Sequence, residues 1–274
     1  MISLVTLVLF ASPAAGDTPE PRWVTLGSSV TEIVYKLGHG DKVVGTDLTS
    51  LYPDETKPVR TLGHFRGLSS EGVLSLRPTL VVAVDGVGPP EAVAAIKRAG
   101  VRWVTVPNGH TRTELRAKFT EVGRAIGDEA GSTTLLKQVD ATLDSIKQRA
   151  TKPKPKVLFV YARGRGAMNV AGQETGANTI LSWAGAVNAV RGFEGYRPLT
   201  AEAVVTAKPD YILVTTRGLE SLGGVEGLLK APGVRLTPAG KNRRVIAIDD
   251  LELLGFGPRV GSGVSKLAKA LSGS

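Results

Sequence analysis

From Trp23 onward, short apolar runs alternate with segments whose apolar residues recur every three or four positions. Trp23–Leu26, Lys42–Gly45, Leu80–Val84 and Val101–Val106 read as strands. Val30, Ile33, Val34 and Leu37 share one helical face, capped by Ser28 or Ser29 and stopped by Gly38; Pro89 and Pro90 open a second helix, Glu91 to Ala99. Strands alternating with helices in this way predict a parallel, doubly wound sheet whose ligand loops lie at the carboxyl ends of the strands. The alternation stops at Thr113. Leu115, Phe119, Val122 and Ile126 form one stripe, and Leu135, Leu136, Val139, Leu143 and Ile146 a second, with no glycine from Ser132 to Ala150. The second stripe predicts a rigid helix, 129–151, joining two halves as their only tether. Beyond it the pattern restarts with Val157–Tyr161, a glycine-rich loop Ala162–Ala167, a helix Gly176–Ala184, the strands Tyr211–Thr215 and Arg244–Ile248, and a closing helix after Ser262.

The two halves also resemble each other. A shift of 131 residues lays Leu68-Ser-Ser-Glu-Gly-Val-Leu-Ser-Leu-Arg-Pro-Thr-Leu-Val81 over Leu199-Thr-Ala-Glu-Ala-Val-Val-Thr-Ala-Lys-Pro-Asp-Tyr-Ile212. A shift of 147 lays Thr31–Gly38 over Asn178–Gly185, the difference being extra loop around Asp47–Arg60. The expected architecture is α/β: two doubly wound, Rossmann-like lobes, 22–127 and 154–274, joined by one long helix, with a ligand cleft between them.

Composition narrows the compartment. Residues 1–16 are uncharged, apolar through Phe10 and end in small residues, the pattern of a signal peptide too short to span a bilayer. The chain has no cysteine, which excludes disulfides, thiolate metal sites, cysteine nucleophiles and a lipid-modified cysteine. A free periplasmic monomer is expected, with no direct membrane insertion. The net charge of +9 is spread along the chain without a basic run carrying interleaved aromatics, so it points to an anionic ligand or to a basic background, and not to nucleic acid. No Gly-x-Ser-x-Gly elbow occurs, and three scattered histidines make no metal triad, which argues against an enzyme.

The chemistry concentrates in loops after strands. Gly27-Ser28-Ser29 forms a strand, turn and helix N-terminus suited to an anion. His64 and Arg66 stand two residues apart, and His110 leaves a strand end in the same lobe. Glu71 and Glu202 occupy matching first turns.

These residues carry a resemblance to the periplasmic haem-binding proteins of bacterial haem-import ABC transporters, within the helix-linked, two-lobed binding proteins that also serve siderophores and cobalamin. It covers Trp23 to Leu271 and rests on Gly27-Ser-Ser-Val-Thr-Glu-Ile-Val-Tyr-Lys-Leu-Gly-His-Gly-Asp-Lys-Val-Val-Gly45, Thr49-Ser-Leu-Tyr-Pro53, Leu68-Ser-Ser-Glu-Gly-Val-Leu-Ser-Leu76, Gly88-Pro-Pro-Glu91 and Arg217-Gly-Leu-Glu-Ser-Leu-Gly-Gly-Val225. The resemblance implies haem b as the transported ligand, permease subunits as partners, and Glu71 and Glu202 as docking carboxylates; both glutamates also suit helix capping. Where the family typically ligates ferric haem through a tyrosine, this chain has His64, and imidazole is an ordinary axial ligand. His110 is open to three roles: sixth ligand, ligand of a second stacked haem, or exposed loop residue. Arg66, Arg163, Arg217 and Arg259 are the expected cations for the two propionates, with Ser28, Ser29 and Tyr161 in the same pocket. Arg217 matches an arginine that in relatives reaches across to the axial ligand; opposite an imidazole, a propionate is the other role open to it. A ferric siderophore or cobalamin is the alternative cargo.

Overall fold

A computed structural model describes residues 20–147, 153–163 and 168–273. The expected leader, residues 1–16, and the last residues of the expected linking helix, 148–151, lie outside the described residues.

In the first lobe β1 (Trp23–Leu26), α1 (Ser28–Lys36), β2 (Val43–Thr46), β3 (Arg60–Thr61), α2 (Ser70–Leu74), β4 (Leu80–Val84), α3 (Pro90–Arg98) and β5 (Arg102–Val106) follow in order. The sheet runs β3-β2-β1-β4-β5 and every pair is parallel. Chain direction therefore reverses its winding between β1 and β4, which leaves a crevice beyond their carboxyl ends. Gly27 turns the chain there with φ 104°, and a Cβ on it would stand 2.6 Å from Val84 Cγ1, so no other residue fits the corner.

Next come α4 (Arg112–Ile126) and α5 (Glu129–Lys147). Thr111 and Glu114 close a reciprocal capping box at the start of α4, and Gly127 ends it in the left-handed conformation. Arg112 bridges to Asp140 and, at 2.6 Å, to Asp144, tying the two helices side by side.

The second lobe comprises β6 (Lys156–Ala162), β7 (Met168–Ala171), α6 (Gly176–Trp183), β8 (Val187–Asn188), β9 (Tyr196–Pro198), α7 (Ala201–Ala207), β10 (Tyr211–Thr215), α8 (Thr216–Ser221), α9 (Gly224–Leu229), α10 (Pro238–Lys241), β11 (Val245–Ile248), α11 (Asp250–Leu254) and α12 (Val260–Ser272). Its sheet is mixed, a departure from the uniform winding the sequence pattern predicts. β6, β10, β11 and β8 are parallel, whereas β7 returns antiparallel beside β6 and carries β9. Strand β6 alternates cleanly. Leu158 and Val160 face a cluster with Val204, Ile212 and Val214 on one side. Val157 and Phe159 face the other, where they join a single apolar cluster with Val24, Leu26 and Val82 of the first lobe, Val139 and Leu143 of α5, and Val264 and Leu267 of α12. The two halves are thus welded by a shared core.

The internal duplication is visible atom by atom. Ser69 Oγ accepts the Gly72 N–H and Thr200 Oγ1 accepts the Ala203 N–H, each at 3.2 Å. Arg77 (φ 46°) and Lys208 (φ 44°) both take left-handed backbone before β4 and β10, and Gly38 and Gly185 end α1 and α6 at φ 81° and 80°.

Candidate functional site

The helix N-terminus at Gly27 is an anion site already filled by the chain. Asp47, 2% exposed, accepts the Gly27 N–H at 2.8 Å, and it also accepts from Thr49 N–H, Thr49 Oγ1 and Ser50 Oγ. Thr49 Oγ1 takes the Ser28 N–H at 3.2 Å. Ser29 is 3% exposed, and Gly257 of the second lobe lies against it. A carboxylate supplied from within satisfies the helix end, and the lobe junction covers Ser29, whereas Ser28 is half-buried.

At that junction Arg259 meets Glu32 of α1 in a two-pronged ion pair, Nη2 to Oε1 at 2.7 Å and Nε to Oε2 at 3.1 Å. Asp249 Oδ1 lies 3.3 Å from its Nη1, and the guanidinium stacks 3.6 Å from the Tyr52 ring. Glu32 is 2% exposed; burial pushes its carboxyl above the usual range, opposed by the hydrogen bond and charge of Arg259. Arg259 is thereby removed from the expected propionate cations, because its charge is neutralised between the lobes. Nearby, Lys118 of α4, 1% exposed, donates from Nζ to the Phe256 carbonyl at 3.3 Å, and burial pushes its amine down to about 8. The Phe256 ring packs against Trp183 at 5.8 Å and against His110 at 6.1 Å. Beside α5, the covalent link, ion pairs, a buried lysine and shared core also join the lobes. His110 is half-buried on Phe256, whereas the ring beside His64 is Phe65.

Since Gly27, Tyr52 and His110 follow first-sheet strands and Asp249 to Arg259 follow β11, the carboxyl edges of both sheets face one another. On the first edge, His64 is exposed. Its ring stacks on Phe65 at 4.7 Å, and its Nδ1 accepts the Arg66 N–H at 3.2 Å. In the neutral imidazole the proton therefore sits on Nε2. Either nitrogen takes a metal only by giving something up: Nε2 its proton, Nδ1 its hydrogen bond. On the second edge, Tyr161 is the penultimate residue of β6, with the Arg163 guanidinium 5.3 Å from its ring centre and the Tyr196 ring at 5.8 Å. Arg217 stands exposed in the first turn of α8. Among the described residues no carboxylate pairs with the side chains of Arg66, Arg163 or Arg217, so three cations stay available to an anion. Leu48, outside every quoted motif, and Leu51, within Thr49–Pro53, are exposed on the first edge at 55% and 42%. Glu71 and Glu202 are exposed in the first turns of α2 and α7. A pocket of about 870 Å³ beside Glu202, rimmed by Lys156, Arg191 and Arg197, opens within the second lobe and not between the lobes.

Exposed arginines and an imidazole thus stand on the facing edges of two α/β lobes, an arrangement suited to an anionic ligand. Residues 24–251 match the family model described as periplasmic binding protein, and the chain belongs to that family. It is a binding protein and not an enzyme. Among solved structures it is similar to the apo form of the periplasmic heme-binding protein RhuT from Roseiflexus sp. RS-1, with 41% identity, a TM-score of 0.88, and 92% of this chain and 98% of that one covered. It is likewise similar to the periplasmic heme-binding protein BhuT in complex with two hemes, with 40% identity, a TM-score of 0.84, and 91% and 98% covered. An uncharacterized ABC transporter substrate-binding lipoprotein, YvrC of Bacillus subtilis (strain 168), is 32% identical over 253 residues, 90% of this chain and 79% of that protein. Among the described residues no helix is long and apolar enough to cross a membrane.

Proposed function

We propose that this protein captures haem between its lobes and hands it to the membrane subunits of an ABC importer. The observation that carries the reading is the pairing of an exposed imidazole, His64, with unpaired arginines on both facing edges, Arg66 beside it and Arg163 and Arg217 opposite. That set supplies one nitrogen for iron and cations for two propionates. Tyr161 is a wall residue of the same site, and His110, held on the lobe junction, is the donor within reach of a second ligand or a second haem. Glu71 and Glu202, exposed and related by the internal duplication, are the docking carboxylates for a pair of permease subunits. The protein works in the periplasm with residues 1–16 as its export leader.

Titration of the purified protein with hemin tests the cargo. A Soret band saturating at a defined stoichiometry is the expected result, shifted in His64→Ala. An unchanged hemin spectrum refutes the proposal, and a cobalamin or siderophore complex would replace it. Intact mass of the protein from the periplasm tests the leader and reads any attached lipid; a mass retaining residues 1–16 counts against it.

A further inference from the structure

Leu48 and Leu51 project from a turn that has little freedom to fold them away. Asp47 pins the start of the turn by accepting from Gly27, Thr49 and Ser50. The Leu48 N–H donates to the Gly63 carbonyl at 2.9 Å, which sets Leu48 beside the residue preceding His64. Tyr52 closes the turn under the Arg259 guanidinium. With its polar groups satisfied and both ends fixed, the turn keeps two leucine side chains in water at 55% and 42% exposure; the other large exposed hydrophobic residues among the described residues, Tyr196, Val205 and Leu236, belong to the second lobe. A rigid pair of solvent-facing leucines next to the proposed ligand donor is a surface that a flat apolar ligand would cover. The unpaired arginines serve carboxylates whatever stands at the centre of the ring.

We infer that the site grips the tetrapyrrole ring itself, with Leu48 and Leu51 forming an apolar wall for one face, so that its ligand class is porphyrin dicarboxylates, metal-free as well as iron-loaded. This rests on the haem reading above and names the part of the ligand that the site holds with or without iron.

The test uses the full mature protein with two probes, protoporphyrin IX followed by fluorescence and hemin followed by its Soret band. Wild type binds both. Leu48→Ser with Leu51→Ser weakens both by on the order of 30-fold, since each half-exposed leucine contributes roughly fivefold. Leu236→Ser, an exposed leucine of the second lobe, changes neither. If the double variant loses its near-UV circular dichroism, the two single serine variants take its place, with roughly fivefold expected from each. Hemin binding without protoporphyrin binding overturns the inference, because iron is then required. Unchanged affinities in the serine variants also overturn it; transport lost under that condition assigns the leucines to the membrane partner. Failure of wild type to bind either probe refutes the haem reading, and this inference with it.

Discussion

Replacing Lys118 with methionine keeps the length of the buried stem and deletes the amine. Burial lowers that amine from 10.5 to about 8, so at pH 7 the folded state holds an ammonium against a penalty of roughly 3 kcal/mol, at ~1.4 kcal/mol per pH unit. The unfolded chain binds this proton more tightly. Stability of the wild type therefore rises between about pH 8 and 10.5 and gains nothing from this group below pH 8. Methionine removes the penalty but leaves the Phe256 carbonyl without the Nζ donor 3.3 Å away, a loss of about 1–2 kcal/mol. Lys118→Met is expected to be more stable than wild type by about 1–2 kcal/mol at pH 7, raising Tm by a few degrees. It is expected to be less stable by about 1–2 kcal/mol above pH 10.5, where the lysine is neutral in both states and only the lost bond counts. Urea unfolding of both proteins across this range, followed by tryptophan fluorescence with equal m-values required, measures the difference. A difference that stays constant with pH, or a variant less stable at pH 7, refutes the reasoning.

Three further outcomes follow from the geometry. Glu32→Ala removes the two-pronged partner of the Arg259 guanidinium, 15% exposed, and leaves it Asp249 at 3.3 Å and Glu252 at 3.8 Å; stability falls by about 2 kcal/mol in urea unfolding, with Glu32→Gln losing less because one acceptor oxygen remains. In His64→Tyr, a phenolate favours ferric iron more than a neutral imidazole does, so the reduction potential of the bound haem falls below wild type in a spectroelectrochemical titration; an equal or higher potential counts against His64 as the ligand. Glu71→Arg combined with Glu202→Arg abolishes haem uptake into proteoliposomes carrying the importer while hemin affinity stays at wild type, since both side chains are exposed.

Much of this architecture was legible from local pattern. The buried runs of β1, β4 and β10 announce themselves, and the repeat from Leu68 to Leu199 predicts two matching helix starts; the structure caps them with Ser69 and Thr200. The antiparallel β7 was not seen: Met168-Asn-Val-Ala171 is too short and mixed to stand out, although residues 163–167 are too few for a crossover and so permit only an antiparallel return. Site residues divided the same way. His64 and Arg66 lie two residues apart and reveal themselves, whereas the partner of Arg259 is Glu32, 227 residues away. Nothing in one sequence reports that pairing. Asp47 was passed over for the same reason: a carboxylate in a loop looks solvated until the chain folds it under Gly27.

That buried carboxylate has a consequence for how such a protein changes its diet. In sheets wound this way a corner like Gly27 commonly receives phosphate through main-chain amides, a contact that side-chain replacement cannot remove. Here Asp47 stoppers it from inside. On the function proposed above, choice of cargo passes to groups hung on the rim, His64, Arg66 and Arg217 among them, each replaceable one codon at a time without disturbing the strands beneath.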